Sequence, residues 1–252
     1  MANMEETVQD KIVKLQNYID TSSNIVFFGG AGVSTESGIP DFRSTDGLYN
    51  QKWHYPPEQI ISRSFFDANP AEFYRFYREK LIIHGAKPNT AHLKLAELEK
   101  AGKLKAVITQ NIDGLHQAAG SKNVFELHGS TLRNYCMRCH AFYDIAFIED
   151  SRHAPDGIPR CSKCGGLVKP DVVLYEESLD ESCIDGAVHA LEAADMLIIG
   201  GTSLVVYPAA GLVNYFRGTK LVLINKSETS GDAIASLIIH DSIGKVLGAV
   251  HP

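Results

Sequence analysis

The chain has 252 residues, 44% of them hydrophobic and 21% charged, with a formal net charge of -6; this is enough chain for a buried core around a sheet and an ordinary globular composition. Its 24 Lys and Arg residues are scattered rather than massed, so no basic field exists for a phosphate backbone and direct nucleic-acid binding is not expected. The longest apolar runs, at 25–28 and 196–199, are too short to span a bilayer, and the acidic start lacks the pattern of a secretory signal, so a cytoplasmic protein with reduced cysteines is expected.

Along the chain, Val8, Ile12, Leu15 and Ile19 recur at helical spacing and predict a helix over residues 5–19, closed by Thr21-Ser-Ser-Asn24. Residues 24–28 form an uninterrupted apolar run that ends in Gly29-Gly30-Ala31-Gly32, the pattern of a parallel strand buried on both faces and emptying into a glycine-rich turn. The same grammar returns three times. Asn89-Thr90 caps a helix with Ala91, Leu95 and Leu98 inside, ended by Gly102 and followed by a strand over 105–109. A helix over 179–194 precedes a strand at 196–199, and a helix over 208–216 precedes a strand at 221–224. Strands alternating with helices predict an α/β fold with a doubly wound, parallel, Rossmann-like sheet, whose ligands belong at the carboxyl ends of the strands.

Two stretches break the rhythm. Residues 41–88 are rich in aromatics, among them Trp53, Phe66, Phe73 and Tyr74, and residues 131–169 carry four cysteines between turns. They predict a domain division into 1–40, 89–130 and 170–252 as the nucleotide-binding domain, with 41–88 a helical cofactor-loop insertion and 131–169 a zinc module, the two together forming a smaller domain.

Cys136-x-x-Cys139 and Cys161-x-x-Cys164 in a reducing compartment fit one tetrahedral four-thiolate zinc. A redox Cys-x-x-Cys is the alternative, but it needs no second pair at matching spacing. With four sulfurs bound, zinc keeps no open position for water and stabilises structure only. The chemistry must lie elsewhere, and His140 reads as a surface histidine.

Gly30-x-Gly32 after a buried strand brings backbone N–H groups to a pyrophosphate, although Thr35 stands where the dehydrogenase fingerprint has its third glycine. Alone this is weak. It is strengthened by Gly38-Ile-Pro-Asp-Phe42-Arg43 just beyond, and by polar groups at other strand ends: Gln110-Asn111-Ile112-Asp113, His128-Gly129, Thr202-Ser203 and Asn225. His128, following the short strand predicted at 124–127, stands at the mouth of the crevice and is the candidate proton carrier.

Taken together, these motifs and the cysteine quartet resemble the sirtuins, the NAD-dependent protein lysine deacylases, in order and over residues 10–245. The resemblance implies that Ala31, Thr35 and Arg43 line the NAD phosphate and ribose region, that Phe42, Ile112 and Asp113, with Asn111, form the nicotinamide pocket, and that Gln110 contacts the ribose. Thr202, Ser203, Asn225 and Asp241 would hold the adenosine half, and His128 would be the general base, with Asn111 and Asp113 beside it in catalysis. It further implies that the acyl-lysine oxygen attacks the ribose carbon that releases nicotinamide. His128 then takes a ribose hydroxyl proton, and the acyl group passes from lysine to ADP-ribose, with acetylated proteins or peptides as partners.

Residues 172–177 correspond to the family's peptide-binding stretch, and there Glu176 stands where many sirtuins have glycine, an acidic side chain expected to favour basic neighbours of the target lysine. Sirtuins that remove acidic acyl groups carry Tyr-x-x-Arg in the aromatic helix; this chain has Tyr74 and Tyr77, so neutral acyl groups, acetyl first, are expected. Transfer of ADP-ribose to protein and a non-catalytic NAD-sensing module are the alternative functions.

Overall fold

The computed structural model describes residues 6–42, 44, 47–50 and 53–252. In chain order its strands are β1 (Ile25–Gly29), β2 (Leu104–Thr109), β3 (Val124–Glu126), β4 (Gly129–Cys136), β5 (Phe142–Tyr143), β6 (Val168–Val172), β7 (Met196–Gly200), β8 (Lys220–Ile224) and β9 (Leu237–Ile239). Six of them pair in parallel in the order β3-β2-β1-β7-β8-β9. The order reverses between β1 and β7, which makes that junction the topological switch point where a doubly wound sheet binds its ligand.

The apolar runs explain the layers. Every residue of β1 and of β7 is buried, because successive side chains alternate between two covered faces. Ile25 and Phe27 pack on one face with Leu15, Leu95, Leu98, Val246 and Leu247, from the helices Val8–Asp20, Thr90–Lys100 and Ile243–Gly248. Val26 and Phe28 pack on the other with Ala187, Leu191 and Leu212, from the helix Glu181–Ala193 and the segment Ala209–Tyr215. Burying one such side chain contributes roughly 1.5–3 kcal/mol. Thr7 and Asn89 close the amino ends of the helices Val8–Asp20 and Thr90–Lys100 through capping boxes.

Two features differ from the sequence-based expectation. The helix expected over 208–216 is a 3₁₀ helix, Ala209–Tyr215; Gly211 and the β-branched Val213 are weak α-formers in so short a stretch. The three-residue β9 and the closing helix Ile243–Gly248 have no counterpart in the sequence reading, since neither carries a periodic pattern long enough to detect.

The remaining strands form a separate antiparallel sheet in the order β5-β4-β6. Short helices Pro57–Ile60, Arg63–Ala68 and Pro70–Phe76 and a π-helical turn Tyr77–Leu81 accompany it, and Phe66, Phe73, Tyr74 and Tyr77 share one apolar cluster with Cys136, Ile148, Cys161 and Val168. Arg133 on β4 ties this sheet to the large one, pairing with Glu126 of β3 at 2.7 Å and with Asp171 of β6 at 2.8 Å.

Candidate active site

The turns after β1 and β7 touch across the switch point. A Cβ on Gly30 would lie 2.9 Å from that of Thr202, and one on Gly32 would lie 2.8 Å from the Cα of Gly201. Side chains are therefore excluded, and the Ala31–Val33 turn presents bare backbone, the condition for cradling a pyrophosphate. Thr35 donates its hydroxyl to the carbonyl of Gly32 at 3.0 Å, which fixes the end of that turn.

Gln110 is the hub that joins three strand ends. Its backbone N–H donates to the Gly29 carbonyl at 3.0 Å, its Nε2 to Thr202 Oγ1 at 3.0 Å, and its carbonyl accepts from the His128 ring at 2.9 Å. Beside it, Asn111 is buried and donates from Nδ2 to Ser34 Oγ at 3.0 Å, while Ser34 donates to Asp113 Oδ2 at 2.6 Å. The other Asp113 oxygen accepts from the backbone N–H of Leu115 at 2.9 Å. Ser34, on the loop after β1, thus bridges two expected site residues on the loop after β2. Sequence reasoning passes over it, although it ends the glycine motif that starts at Gly30.

A carbonyl can only accept, so the bond to Gln110 puts the His128 proton on Nδ1 and leaves the Nε2 lone pair open, the tautomer a general base requires. Burial holds the imidazole pKa below its ordinary value, against a smaller opposing pull from the Gln110 carbonyl. The neighbouring glycine sets where the ring can sit. Gly129 has φ 74°, and a Cβ there would meet the Asp171 carbonyl oxygen at 1.9 Å, so only glycine lets β4 start against β6 immediately after the base.

On the far side of the switch point, Thr202 and Asn225 are both buried and clasp each other: Thr202 N–H donates to Asn225 Oδ1 at 3.1 Å, and Asn225 Nδ2 donates back to the Thr202 carbonyl at 2.6 Å. Ser203 is exposed beside them. Asp241 comes after β9 with its carboxylate on Lys245 at 2.5 Å and on the Ser242 N–H at 2.8 Å, so it is bound within its own turn. On the near side, Ile112 packs against the aromatic and cysteine cluster, and Phe42 sets its ring against Tyr49 at 5.6 Å and 69°. Arg43 lies outside the described residues.

The four cysteine Sγ atoms all lie within 4.8 Å of one another. Cys136 and Cys164 are 3.5 Å apart and Cys139 and Cys161 3.6 Å, far beyond a disulfide and close to the ~3.8 Å edge of a zinc–thiolate tetrahedron with 2.3 Å bonds. A side chain at Gly166 would clash with Cys136 Sγ at 2.9 Å. Burial opposes the Cys161 thiolate, yet the Tyr143 hydroxyl and backbone N–H groups outweigh it and bring the thiol down to about 6. Four sulfurs gathered this way fit zinc, and they close its coordination.

The extended segment after β6 is bound at both ends. Val173 N–H donates to the His128 carbonyl at 3.0 Å, and Tyr175 N–H to the Ile61 carbonyl at 3.1 Å. Both Glu176 oxygens accept from Ser64, through its N–H at 2.8 Å and its hydroxyl at 2.9 Å, so the carboxylate also ties this segment to the helix Arg63–Ala68. Tyr74 and Tyr77 are wholly buried, with the Tyr74 hydroxyl on the Val168 carbonyl, and Arg78 donates to the carbonyls of Ile148 and Gly157. No acid-binding pair is formed by these residues.

Fold and site together define a doubly wound α/β protein of the nucleotide-binding class, with a buried histidine just past its edge strand β3 and a cluster of four thiols beside it. A sequence profile described as the Sir2 family matches residues 30–208, and the chain belongs to that family. A Clostridium perfringens protein named NAD-dependent protein deacetylase is 66% identical over 246 residues, covering 96% of this chain and 99% of its own. One of the same name from Clostridium acetobutylicum is 61% identical over 243 residues, covering 96% and 98%. A Sir2 complex with a deacetylated p53 peptide and 3'-O-acetyl-ADP-ribose superposes with a TM-score of 0.87 at 38% identity, over 94% of this chain and 96% of that one. A Sir2–p53 peptide–NAD complex gives 0.82 at 40%, over 93% and 94%.

Proposed function

We propose that this chain uses NAD and one water to remove acetyl groups from protein lysines, producing nicotinamide, O-acetyl-ADP-ribose and free lysine. The observation that carries the reading is the His128 ring, its Nδ1 proton committed to the Gln110 carbonyl, one residue from the strand end that holds Asn111 and Asp113. Passive NAD binding gives no use to a base so arranged, and a dehydrogenase would have a third glycine where Thr35 stands.

The residues divide the work. Ala31 and Thr35 receive the phosphates and ribose at the turn after β1, a role the family resemblance gives to Arg43 as well; Thr202, Ser203, Asn225 and Asp241 hold the adenosine half; Gln110 reaches the ribose. Asn111, Ile112 and Asp113, steadied by Ser34, take the nicotinamide end, and Phe42 keeps water and departed nicotinamide from the reacting carbon. When bound, NAD supplies the ribose carbon to which the acyl oxygen is transferred. His128 Nε2 takes the proton of a ribose hydroxyl so that this hydroxyl can accept the acyl group. The peptide lies extended along residues 172–175, recognised by main-chain hydrogen bonds. Residues 41–88 and 131–169 act as the smaller of two units, with zinc on Cys136, Cys139, Cys161 and Cys164. The buried Tyr74 and Tyr77 favour neutral acyl groups, and a reducing cytoplasm suits the thiolates.

Mass spectrometry after mixing the protein with NAD and an acetyl-lysine peptide tests this. Free lysine peptide with nicotinamide and acetyl-ADP-ribose is expected. ADP-ribose attached to protein would select the transferase reading, and the absence of nicotinamide release would leave only binding.

A further inference from the structure

We infer that the hydroxyls of Tyr49 and Tyr175, 2.6 Å apart, form a latch that positions Phe42 relative to the segment carrying the peptide; the inference rests on the deacetylase reading above. Phe42 belongs to no helix or strand, so its placement depends on its neighbours. Tyr49 is the principal one: its N–H donates to the Phe42 carbonyl at 2.9 Å, and the two rings meet edge to face at 5.6 Å. Both pack in a small apolar cluster with Leu48, Ile60 and Phe76, apart from the clusters that cover the large sheet.

Tyr175 stands at the other end of the contact. Its segment starts from the His128 carbonyl through Val173, and its backbone is clamped on both sides, Tyr175 N–H to the Ile61 carbonyl at 3.1 Å and Arg63 N–H to the Tyr175 carbonyl at 2.9 Å. The next residue, Glu176, is held at φ 76°, a conformation unfavourable to a residue with a Cβ, and its carboxylate grips Ser64. Glu177 completes the clamp on Arg63 at 2.9 Å and on Lys169 at 3.0 Å. The backbone of Tyr175 is therefore rigid, and its hydroxyl is a fixed point to which the less regular Tyr49 segment is attached. A continuous path of contacts runs from the base, through Val173, Tyr175 and Tyr49, to Phe42.

The latch is a positioning device and contributes little to the core. Tyr175 is 37% exposed, and phenylalanine at either position keeps the ring and loses only the hydroxyl. With the latch opened, Phe42 moves more freely, and nicotinamide that has left is recaptured more often before the acyl group transfers. Because one net hydrogen bond is involved, the ratio of labelled-nicotinamide exchange into NAD to acetyl transfer should rise roughly three- to tenfold in Y49F and in Y175F. The rise in the double variant should fall well short of the product of the two single rises, since the Tyr49–Tyr175 contact is a loss that both singles share.

Trp53, the sole tryptophan, lies in the same apolar cluster and reads the loop without turnover: acrylamide should quench it more in both single variants. An unchanged exchange-to-transfer ratio in both singles, or a double variant equal to the product of the two, overturns the latch. If the wild-type protein releases no nicotinamide with acetyl peptide, the deacetylase reading fails instead, and Trp53 quenching alone then decides the latch: a rise supports it, no change overturns it.

Discussion

The two regions of the molecule are built on different physics. The large sheet has at its centre two five-residue strands, β1 and β7, buried at every position, and helices over both faces, so the hydrophobic effect is the main source of its order. The smaller region has strands as short as the two-residue β5, leaves Phe142 58% exposed, and gathers its interior around four thiols and a set of packed aromatic rings. In the proposed function the first places the reacting groups and the second supplies a wall of the cleft. Loss of order in the second should therefore end turnover without unfolding the first.

Metal removal is the strongest way to break that comparison. Structural zinc contributes on the order of 10 kcal/mol to small folded modules, so chelation, or Cys136→Ser, should unfold the region around β4 to β6 and abolish deacetylation. Hydrogen exchange should show β1, β2 and β7 still protected; their simultaneous loss of protection would mean that the two regions fold as one. Next in size, His128→Tyr should lower deacetylation by ~10²–10⁴-fold, while calorimetry still records NAD binding and the thermal midpoint stays near that of the parent. A variant that keeps its deacetylase rate removes His128 from the mechanism.

The large region has a weakness of its own, on a smaller scale. His92 and His116 are wholly buried beside each other with ring centroids 4.8 Å apart, and neither ring nitrogen of His116 has a hydrogen-bond partner among the described residues. Burial, then the charge of His92, pushes the His116 pKa down to about 3, and burial lowers that of His92. The unfolded chain takes up these protons near pH 6.5 and the folded chain does not, so stability is lost as pH falls below 6.5, by about 1.4 kcal/mol per pH unit for a single such histidine, until His116 itself protonates near 3. Urea midpoints at about pH 7 and about pH 5 should differ accordingly, and His116→Leu should flatten the dependence. A midpoint indifferent to pH over that interval would show the pair to be solvated.

What could be read in the sequence divides along the same line. Strands β1 and β7 were legible because continuous apolar runs have one simple explanation, and the cysteine quartet because metal ligation demands its spacing. The position of His128 just past β3 was legible from the short apolar run before it. The role of Ser34 was not, since it depends on Asn111 and Asp113 arriving from a loop far along the chain. The contact of Glu176 was hidden for a similar reason: its carboxylate accepts from Ser64, a partner that local pattern does not encode.

The bond from His128 to the Gln110 carbonyl has a last consequence. Many catalytic histidines are oriented by a carboxylate, whose charge then sets their basicity; here the orienting group is a neutral peptide oxygen, and the pKa is governed by burial and that one bond. Mobile ions screen charges and leave such an arrangement almost untouched. The proton affinity of the His128 ring in the ligand-free protein is thus little affected by ionic strength.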